Sequence, residues 1–178
     1  YVLEFGNTYI RFYKDKGQIV TGGSTAYEIS SPYLTAELFD IKFAQSADVM
    51  YITHPNHEVM KLSRTGHTAW TLAAIDFTDG PYLAQNQTAT TMAASGTSGS
   101  VTITASTSTF ASTDVGRLIT FSSGRAKITG YTSATQVAAT TQVNFSGTGA
   151  VTNWKLGAFS NTTGHPSCVS FFEQRLVF

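Results

Sequence analysis

Residues 48–72, DVMYITHPNHEVMKLSRTGHTAWTL, contain the strongest fold signal of the chain. Aliphatic, aromatic and β-branched residues dominate its runs, and its separators HPNH and TGHT are rich in turn-forming residues. With IKFAQSA before them at 41–47, these runs predict four antiparallel strands connected by short turns. Four such strands in about forty residues match one blade of a β-propeller, although no second copy of the pattern follows.

The beginning of the chain predicts a hairpin and a short helix. VLEF at 2–5 and YIRFYK at 9–14 flank Gly6 and Asn7, two residues that tolerate positive φ and therefore favour a tight turn. TAELFDI at 35–41 is typical of a short helical turn.

The composition changes near Gln85. Residues 1–84 carry six basic and nine acidic residues, whereas residues 85–163 carry only Asp114, Arg117, Arg125, Lys127 and Lys155 among many Thr, Ser, Ala and Gly. The Thr residues alternate with Val and Ile, as in SVTITAS, which is the period of a half-buried strand. We therefore predict a five-stranded barrel or sandwich, and its predicted core is Val101, Ile103, Phe110, Leu118, Phe121, Ile128, Val137, Val143, Trp154 and Leu156.

The predicted architecture is all-β, a partial propeller-like antiparallel sheet with an inserted small β-barrel or sandwich domain. The segments are 1–84 for the blade-like domain, 85–160 for the inserted domain and 161–178 for a strand that returns to the first domain. This strand, in GHPSCVSFFEQRLVF, runs into an apolar end, and the chain begins abruptly at Tyr1. Because natural termini are usually polar, we expect a fragment of a larger protein.

Charge, hydropathy and cysteine content exclude several classes. The net charge is zero, so the chain lacks the excess of basic residues that is typical of a nucleic-acid binder. No apolar stretch approaches the roughly 18 residues of a membrane helix. Cys168 is the single cysteine, so an internal disulfide and a cysteine zinc cluster are excluded, and we expect it to lie buried in a strand.

The histidines do not predict a metal site. His54 and His57 have HxxH spacing on a turn, and Glu58 is the only adjacent carboxylate. Since a metal needs three or four converging ligands, we interpret this pair as part of a solvated turn. His67 could pair with a distant Asp or Glu but is interpreted as a turn residue, and His165, which precedes Pro166, is expected to have no further role.

No motif predicts catalysis, a cofactor or a metal, and we expect the chain not to be an enzyme. GxSxG, HExxH, Walker-type and GxGxxG patterns are absent, and ASGTSGS at 94–100 is interpreted as a linker.

Carboxylate pairs stay an alternative, because partners can be distant in sequence; the strand-edge candidates are Asp40, Asp48, Asp76 and Asp79. Aromatic residues could form a sugar platform but are interpreted mainly as core; they are Tyr9, Phe12, Tyr13, Tyr27, Tyr33, Phe39, Tyr51, Trp70 and Tyr82. The sequons at Asn86, Asn144 and Asn161 would matter only in a secretory pathway.

Three segments carry a resemblance to a known family: VLEFGNTYIRFYKDKGQIV, SADVMYITHPNHEVMKLSRTGHTAWTL and GHPSCVSFFEQRLVF. Together they resemble phage and prophage structural proteins related to the tail nozzle, or tail tubular protein B, of short-tailed phages. The middle segment, with FASTDVGRLI, KITGYTSATQV and NWKLGAFS, resembles the inserted β-domain described as FCCH-like in such proteins.

The resemblance implies a mechanical function. The full-length protein would form a homo-oligomeric ring around the tail channel, hold neighbouring tail, adaptor or fibre proteins in register, and let DNA pass without sequence-specific binding. It implies a location in the virion after expression in the host cytoplasm, with no cofactor. Two alternatives stay open: a host-surface or glycan-binding β module of a phage, and an enzyme.

Overall fold

The structure, a computed structural model, describes all 178 residues and is almost entirely β, with 51% strand and 5% helix. The all-β prediction is confirmed. The sheets are antiparallel, and one curls into a half-barrel. The strands are β1 (Val2–Gly6), β2 (Tyr9–Lys14), β3 (Gly17–Gln18), β4 (Val20–Thr21), β5 (Thr25–Ala26), β6 (Glu28–Ser30), β7 (Lys42–Ser46), β8 (Val49–His54), β9 (His57–Gly66), β10 (Ala69–Ala74), β11 (Met92–Ala94), β12 (Ser100–Ala105), β13 (Leu118–Phe121), β14 (Gly124–Ser133), β15 (Gln136–Val143), β16 (Lys155–Leu156), β17 (Ser170–Phe172) and β18 (Arg175–Val177). Two 3₁₀ helices are η1 (Thr35–Asp40) and η2 (Ser112–Asp114).

The chain divides into two compact units. Unit 1 comprises Tyr1–Asp76 and His165–Phe178, and unit 2 comprises Phe77–Gly164. Unit 2 is therefore inserted between two segments of unit 1. The boundaries lie at 76/77 and 164/165, whereas the sequence prediction placed them at 84/85 and 160/161.

Unit 1 contains two four-stranded sheets. In the first, β1, β2 and β3 are neighbours in that order and β6 also pairs with β2. The second has the order β10-β9-β8-β7, so the predicted four-strand meander is confirmed. The short helical turn predicted at 35–41 is present as η1. A core of fully buried side chains serves this unit: Ile10, Phe12, Tyr33, Ile52 and Leu62.

The first hairpin is present, but its turn differs from the prediction. Gly6 is the last residue of β1 and pairs with Tyr9, so the turn residues are Asn7 and Thr8, the latter with φ of +65°. A Cβ atom at Gly6 would overlap the ring of Tyr9. The close approach of this aromatic ring, and not the turn, therefore accounts for the glycine at position 6.

Unit 2 is built around one six-stranded antiparallel sheet of order β11-β12-β15-β14-β13-β16. The five predicted strands are β12 to β16, and β11 is an additional strand. Residues 94–100 were interpreted as a linker, but Ala94 ends β11, Ser100 begins β12, and residues 95–99 connect the two paired strands. Within this connection the Thr97 carbonyl accepts a hydrogen bond from the Phe145 N–H at 2.9 Å.

Most of the predicted core of unit 2 is buried, with two corrections. Val143 is exposed, because it lies at the end of β15, and Trp154 is only half-buried at the margin of the core. The Trp154 indole N–H donates to the Thr90 carbonyl at 2.9 Å, which orients the ring across the core edge. Buried residues that the prediction did not include are Met92, Ala94, Ala105, Ile119, Ala126, Ala139 and Phe145.

The returning segment is a hairpin instead of the single predicted strand. β17 pairs with β18, and the turn residues Glu173 and Gln174 have φ of +46° and +63°. Such a turn usually contains Gly or Asn, which is why the sequence did not predict it. Cys168 precedes the hairpin and is exposed outside any strand, so its predicted burial in a strand is wrong.

Neither 3₁₀ helix has the length or the apolar character needed to cross a membrane.

Candidate functional site

The two histidines of HPNH face each other across a two-residue turn. β8 ends at His54, β9 begins at His57, and the two residues are a cross-strand pair. Directly opposite residues of a hairpin project from the same face of the sheet. Pro55 is the second of the four turn residues, and its ring fixes φ at a value that suits this position. As a result the two imidazole ring centroids lie 5.0 Å apart.

Glu37 of η1 completes this polar cluster. Its Oε2 accepts hydrogen bonds from the Leu34 N–H at 2.9 Å and from His57 Nε2 at 2.8 Å. One ligand-type atom from each of Glu37, His54 and His57 lies within 4.8 Å of the other two. We call these three residues the Glu-His-His cluster.

The cluster borders the buried core of unit 1. His54 is 1% exposed and the fully buried Tyr33 packs its ring edge-on against His57, with centroids 5.2 Å apart. The Glu37 and His57 side chains remain 18% and 21% exposed. One end of the cluster is therefore excluded from water while the other is accessible.

Two buried polar atoms here have no hydrogen-bond partner: His54 Nε2 and the Tyr33 hydroxyl. The other ring nitrogen of His54, Nδ1, accepts from the Asn56 backbone N–H at 3.1 Å. Buried polar atoms are usually satisfied, so each unsatisfied one requires an explanation.

The electrostatics of the cluster favour an ionised Glu37. The hydrogen bond from the Leu34 N–H, followed by that from His57, lowers the pKa of Glu37 to about 2. Burial raises the pKa of the Tyr33 phenol well above its usual value. The site thus presents a carboxylate and two imidazoles beside a neutral phenol.

The interpretation of HPNH as a solvated turn is wrong for His54, because His54 is buried at the end of β8. Glu58 is not the carboxylate of the cluster, since Glu37, seventeen residues before His54, takes that position. The two-residue hairpin was a signal that both rings would share one face. Nothing in the sequence indicated that η1 would bring Glu37 to them.

The other two histidines lie elsewhere in unit 1. His67 is an exposed turn residue whose Nδ1 bonds to the Tyr1 hydroxyl. His165 donates its backbone N–H to the Pro55 carbonyl at 2.9 Å, which holds the returning segment against the HPNH turn. Burial lowers the pKa of the His165 imidazole.

Two of the strand-edge carboxylates are bound by arginines. Asp48 contacts Arg64 at 2.6 Å, and Asp79 contacts Arg125 at the same distance. These contacts are structural ion pairs at the surfaces of unit 1 and unit 2 respectively.

Four of the nine aromatic residues considered as a sugar platform belong to the core of unit 1: Phe12, Tyr27, Tyr33 and Trp70. Phe12 is fully buried and stacks on Trp70, with ring centroids 4.2 Å apart. The half-buried Tyr27 accepts the Trp70 backbone N–H through its hydroxyl at 3.1 Å. Tyr9, Tyr13, Tyr51 and Tyr82 are half-buried outside this core, and Phe39 is 92% exposed.

Exposed aromatic side chains border β7, which is an edge strand of its sheet. Phe43 of β7 is 60% exposed and pairs with Ile52. Phe171 of β17 packs its ring against Tyr51, which pairs with Ala44 and therefore projects from the opposite face. Aromatic groups thus lie on both faces of this sheet edge.

A small cleft of about 100 Å³ lies beside the first residues of the chain. The Arg64 guanidinium lies over the Tyr1 ring there and pairs with Asp48, so its charge is already balanced. The cleft is lined by Tyr1, Leu3, Gln45, Asp48, Met50, Leu62, Arg64 and Trp70.

No family model and no curated protein matches this sequence.

Proposed function

We propose that this chain is a structural component of a phage tail, of the nozzle or tail tubular type, with a propeller-like first unit. The observation that carries the proposal is the discontinuous unit 1, which is interrupted by the complete β unit Phe77–Gly164. An inserted β domain at this point of the chain is what the resemblance to tail nozzle proteins implies. The proposed location is the virion, after expression in the bacterial cytoplasm.

The exposed edge of β7 supports an assembling role. The backbone groups on the outer side of an edge strand are a template for association with another chain. β7 pairs only with β8, and β17 lies beside it without pairing. In a ring each subunit makes a heterologous contact with the next, so one copy would cover the β7 edge of its neighbour.

The partners in this proposal are further copies of the protein and neighbouring tail, adaptor or fibre proteins. DNA passes through the channel without sequence-specific contacts, which suits a chain of zero net charge. The proposal assigns no catalytic activity and no cofactor to this role.

The assembly state of the full-length protein tests the proposal. Light scattering and negative-stain electron microscopy should show closed rings. Phe43→Asp, in β7, should reduce ring formation at least about tenfold without changing the melting temperature, since exposed substitutions rarely affect stability. Tyr131→Ser, an exposed aromatic substitution in unit 2, is the matched control and should leave the rings intact.

A full-length protein that stays monomeric at all concentrations would contradict the proposal. Saturable binding on a glycan array by such a monomer would instead favour the host-surface module. Rings that form equally well with Phe43→Asp would be consistent with the tail function but would show that the β7 edge is not part of the interface.

A further inference from the structure

We propose that Glu37, His54 and His57 bind a divalent transition-metal ion, with Zn²⁺ the best chemical match. Two imidazole nitrogens and one carboxylate oxygen are a ligand set that zinc uses, with a fourth position left for water. Imidazole ligands disfavour Mg²⁺ and Ca²⁺, which prefer oxygen. This inference is independent of the proposed tail function.

The present spacing of the three side chains is close to what an ion needs. Their ligand-type atoms lie within 4.8 Å of one another, whereas bonds of about 2.0–2.1 Å in a tetrahedron place ligands about 3.4 Å apart. His57 Nε2 and Glu37 Oε2 are 2.8 Å apart with a proton between them. An ion would replace that proton, and a small outward movement of these two partly exposed side chains would suffice.

His54 supplies the second, independent observation. Its Nε2 is buried and has no hydrogen-bond partner, so this nitrogen is the one that we assign to the ion. Metal-bound histidine is neutral, and its other nitrogen then carries the proton. The Nδ1 that now accepts from the Asn56 N–H would become a donor, and that 3.1 Å hydrogen bond would open.

The scaffold holds the ligands in place without the ion. The β8–β9 turn fixes both histidines, and the Leu34 N–H at the start of η1 orients the Glu37 carboxylate. Partners of this kind that orient a metal ligand are typical of metal sites. An ion would join η1 to the β8–β9 hairpin, and the exposed side of Glu37 and His57 gives it a path from solvent.

A zinc titration of the purified protein by calorimetry, repeated with Co²⁺ by visible absorption, tests this proposal. We expect one ion per chain and the intense absorption of tetrahedral Co²⁺. Glu37→Gln and His57→Ala should each weaken Zn²⁺ binding by at least about 100-fold. Removing a residue that only orients a ligand weakens metal binding by up to about 100-fold, so a larger loss identifies a ligand itself. Glu37→Gln keeps an oxygen that can accept the Leu34 N–H, so this variant should remain folded.

His67→Ala is the matched control, because His67 is an exposed histidine of unit 1 outside the cluster. It should bind Zn²⁺ as the parent chain does. In nitrogen-15 spectra of the zinc-loaded protein, His54 should show its proton on Nδ1, and the Asn56 amide should lose its protection from hydrogen exchange.

Three results would overturn the proposal. One is the absence of binding to the folded parent chain, which would mean that a buried water satisfies His54 Nε2. Another is affinity that Glu37→Gln and His57→Ala leave unchanged. The third is an equal loss of affinity in His67→Ala, which would assign the ion to a different histidine.

Discussion

The carboxylate of Asp114 and the guanidinium of Arg117 form a buried ion pair in unit 2, with 2.8 Å between Oδ1 and Nη1. Their side chains are only 2% and 4% exposed. The pair makes further hydrogen bonds: Asp114 accepts from the Ala111 N–H and the Thr162 hydroxyl, and Arg117 Nε donates to the Gly157 carbonyl. These hydrogen bonds connect η2 to Gly157, which directly follows β16, and to Thr162.

Removing one partner of this pair should strongly destabilise unit 2. Arg117→Met leaves the Asp114 carboxylate buried without its counter-charge, and breaking a buried pair in this way costs about 3–5 kcal/mol. Urea unfolding followed by circular dichroism measures the loss. The double variant Asp114→Leu with Arg117→Met should recover part of it, because no uncompensated charge remains.

Arg125→Met is the control for this prediction. Arg125 pairs with Asp79, whose side chain is 61% exposed, and exposed pairs contribute about 0–1 kcal/mol. If Arg117→Met cost no more than Arg125→Met, the buried pair would not stabilise unit 2.

Gly124 should tolerate no side chain. It begins β14, and a Cβ atom there would lie 2.6 Å from the Phe145 ring and 2.7 Å from the Asn144 carbonyl oxygen. Phe145 stacks on Phe121 in the core, so the ring cannot move freely. Gly124→Ala should therefore cost about 1–3 kcal/mol, the usual cost of overpacking, in a chemical denaturation experiment.

Gly147→Ala provides the comparison, since a Cβ atom there would meet nothing within 4 Å. It should change the free energy of unfolding by less than about 0.5 kcal/mol. Equal effects of the two substitutions would show that the chain at Gly124 can move away from Phe145.

The sequence predicted the strands better than the contacts between them. Alternating Thr and Val in β12 and the short turns of the meander are local signals, and both elements are present. β11 escaped prediction because Met92, Ala93 and Ala94 have little intrinsic β preference and are held in the sheet by pairing with β12.

The candidate site shows the same limit at the level of side chains. HPNH lies within one turn, so its two histidines could be placed on one face from sequence alone. Glu37 joins them because η1 packs beside the hairpin. Likewise, the buried pair Asp114 and Arg117 is hydrogen-bonded to Thr162 and Gly157, which are distant in sequence. Contacts of this kind depend on the tertiary fold and leave no local pattern.

Glu4 should make unit 1 more sensitive to acid. Hydrogen bonds from Tyr13 and Tyr9 lower the pKa of the Glu4 carboxyl from its usual 4.5. A carboxyl whose pKa is lower in the folded chain contributes stability above its unfolded pKa, and this contribution is lost as the pH falls through the folded pKa. Glu4→Gln should therefore reduce the fall in unfolding free energy between about pH 5 and about pH 3.

Urea unfolding at several pH values measures this dependence. Glu173→Gln, an exposed substitution in the β17–β18 turn, should leave it unchanged. A Glu4→Gln profile parallel to that of the parent chain would show that the two tyrosines do not favour the ionised form.

Unit 2 should fold when it is excised at its structural boundaries. The segment Phe77–Gly164 contains its own apolar core and the complete six-stranded sheet, so it should unfold cooperatively. Excision at 85–160 removes the Leu83 N–H that bonds to the Leu156 carbonyl and the Pro81 carbonyl that accepts from Ala158. It also removes the Thr162 hydroxyl from the buried Asp114 carboxylate.

The shorter piece should therefore be less stable than the longer one by about 3–5 kcal/mol, at about 1 kcal/mol for each of the two backbone hydrogen bonds and about 1.5–3 kcal/mol for the one to a buried charge. Both pieces are to be compared by urea unfolding under the same conditions. Equal stability would show that residues 77–84 and 161–164 only connect the two units. A disordered spectrum for 77–164 would show that unit 2 needs unit 1 in order to fold, because its core would then be insufficient to offset the conformational entropy of its own chain.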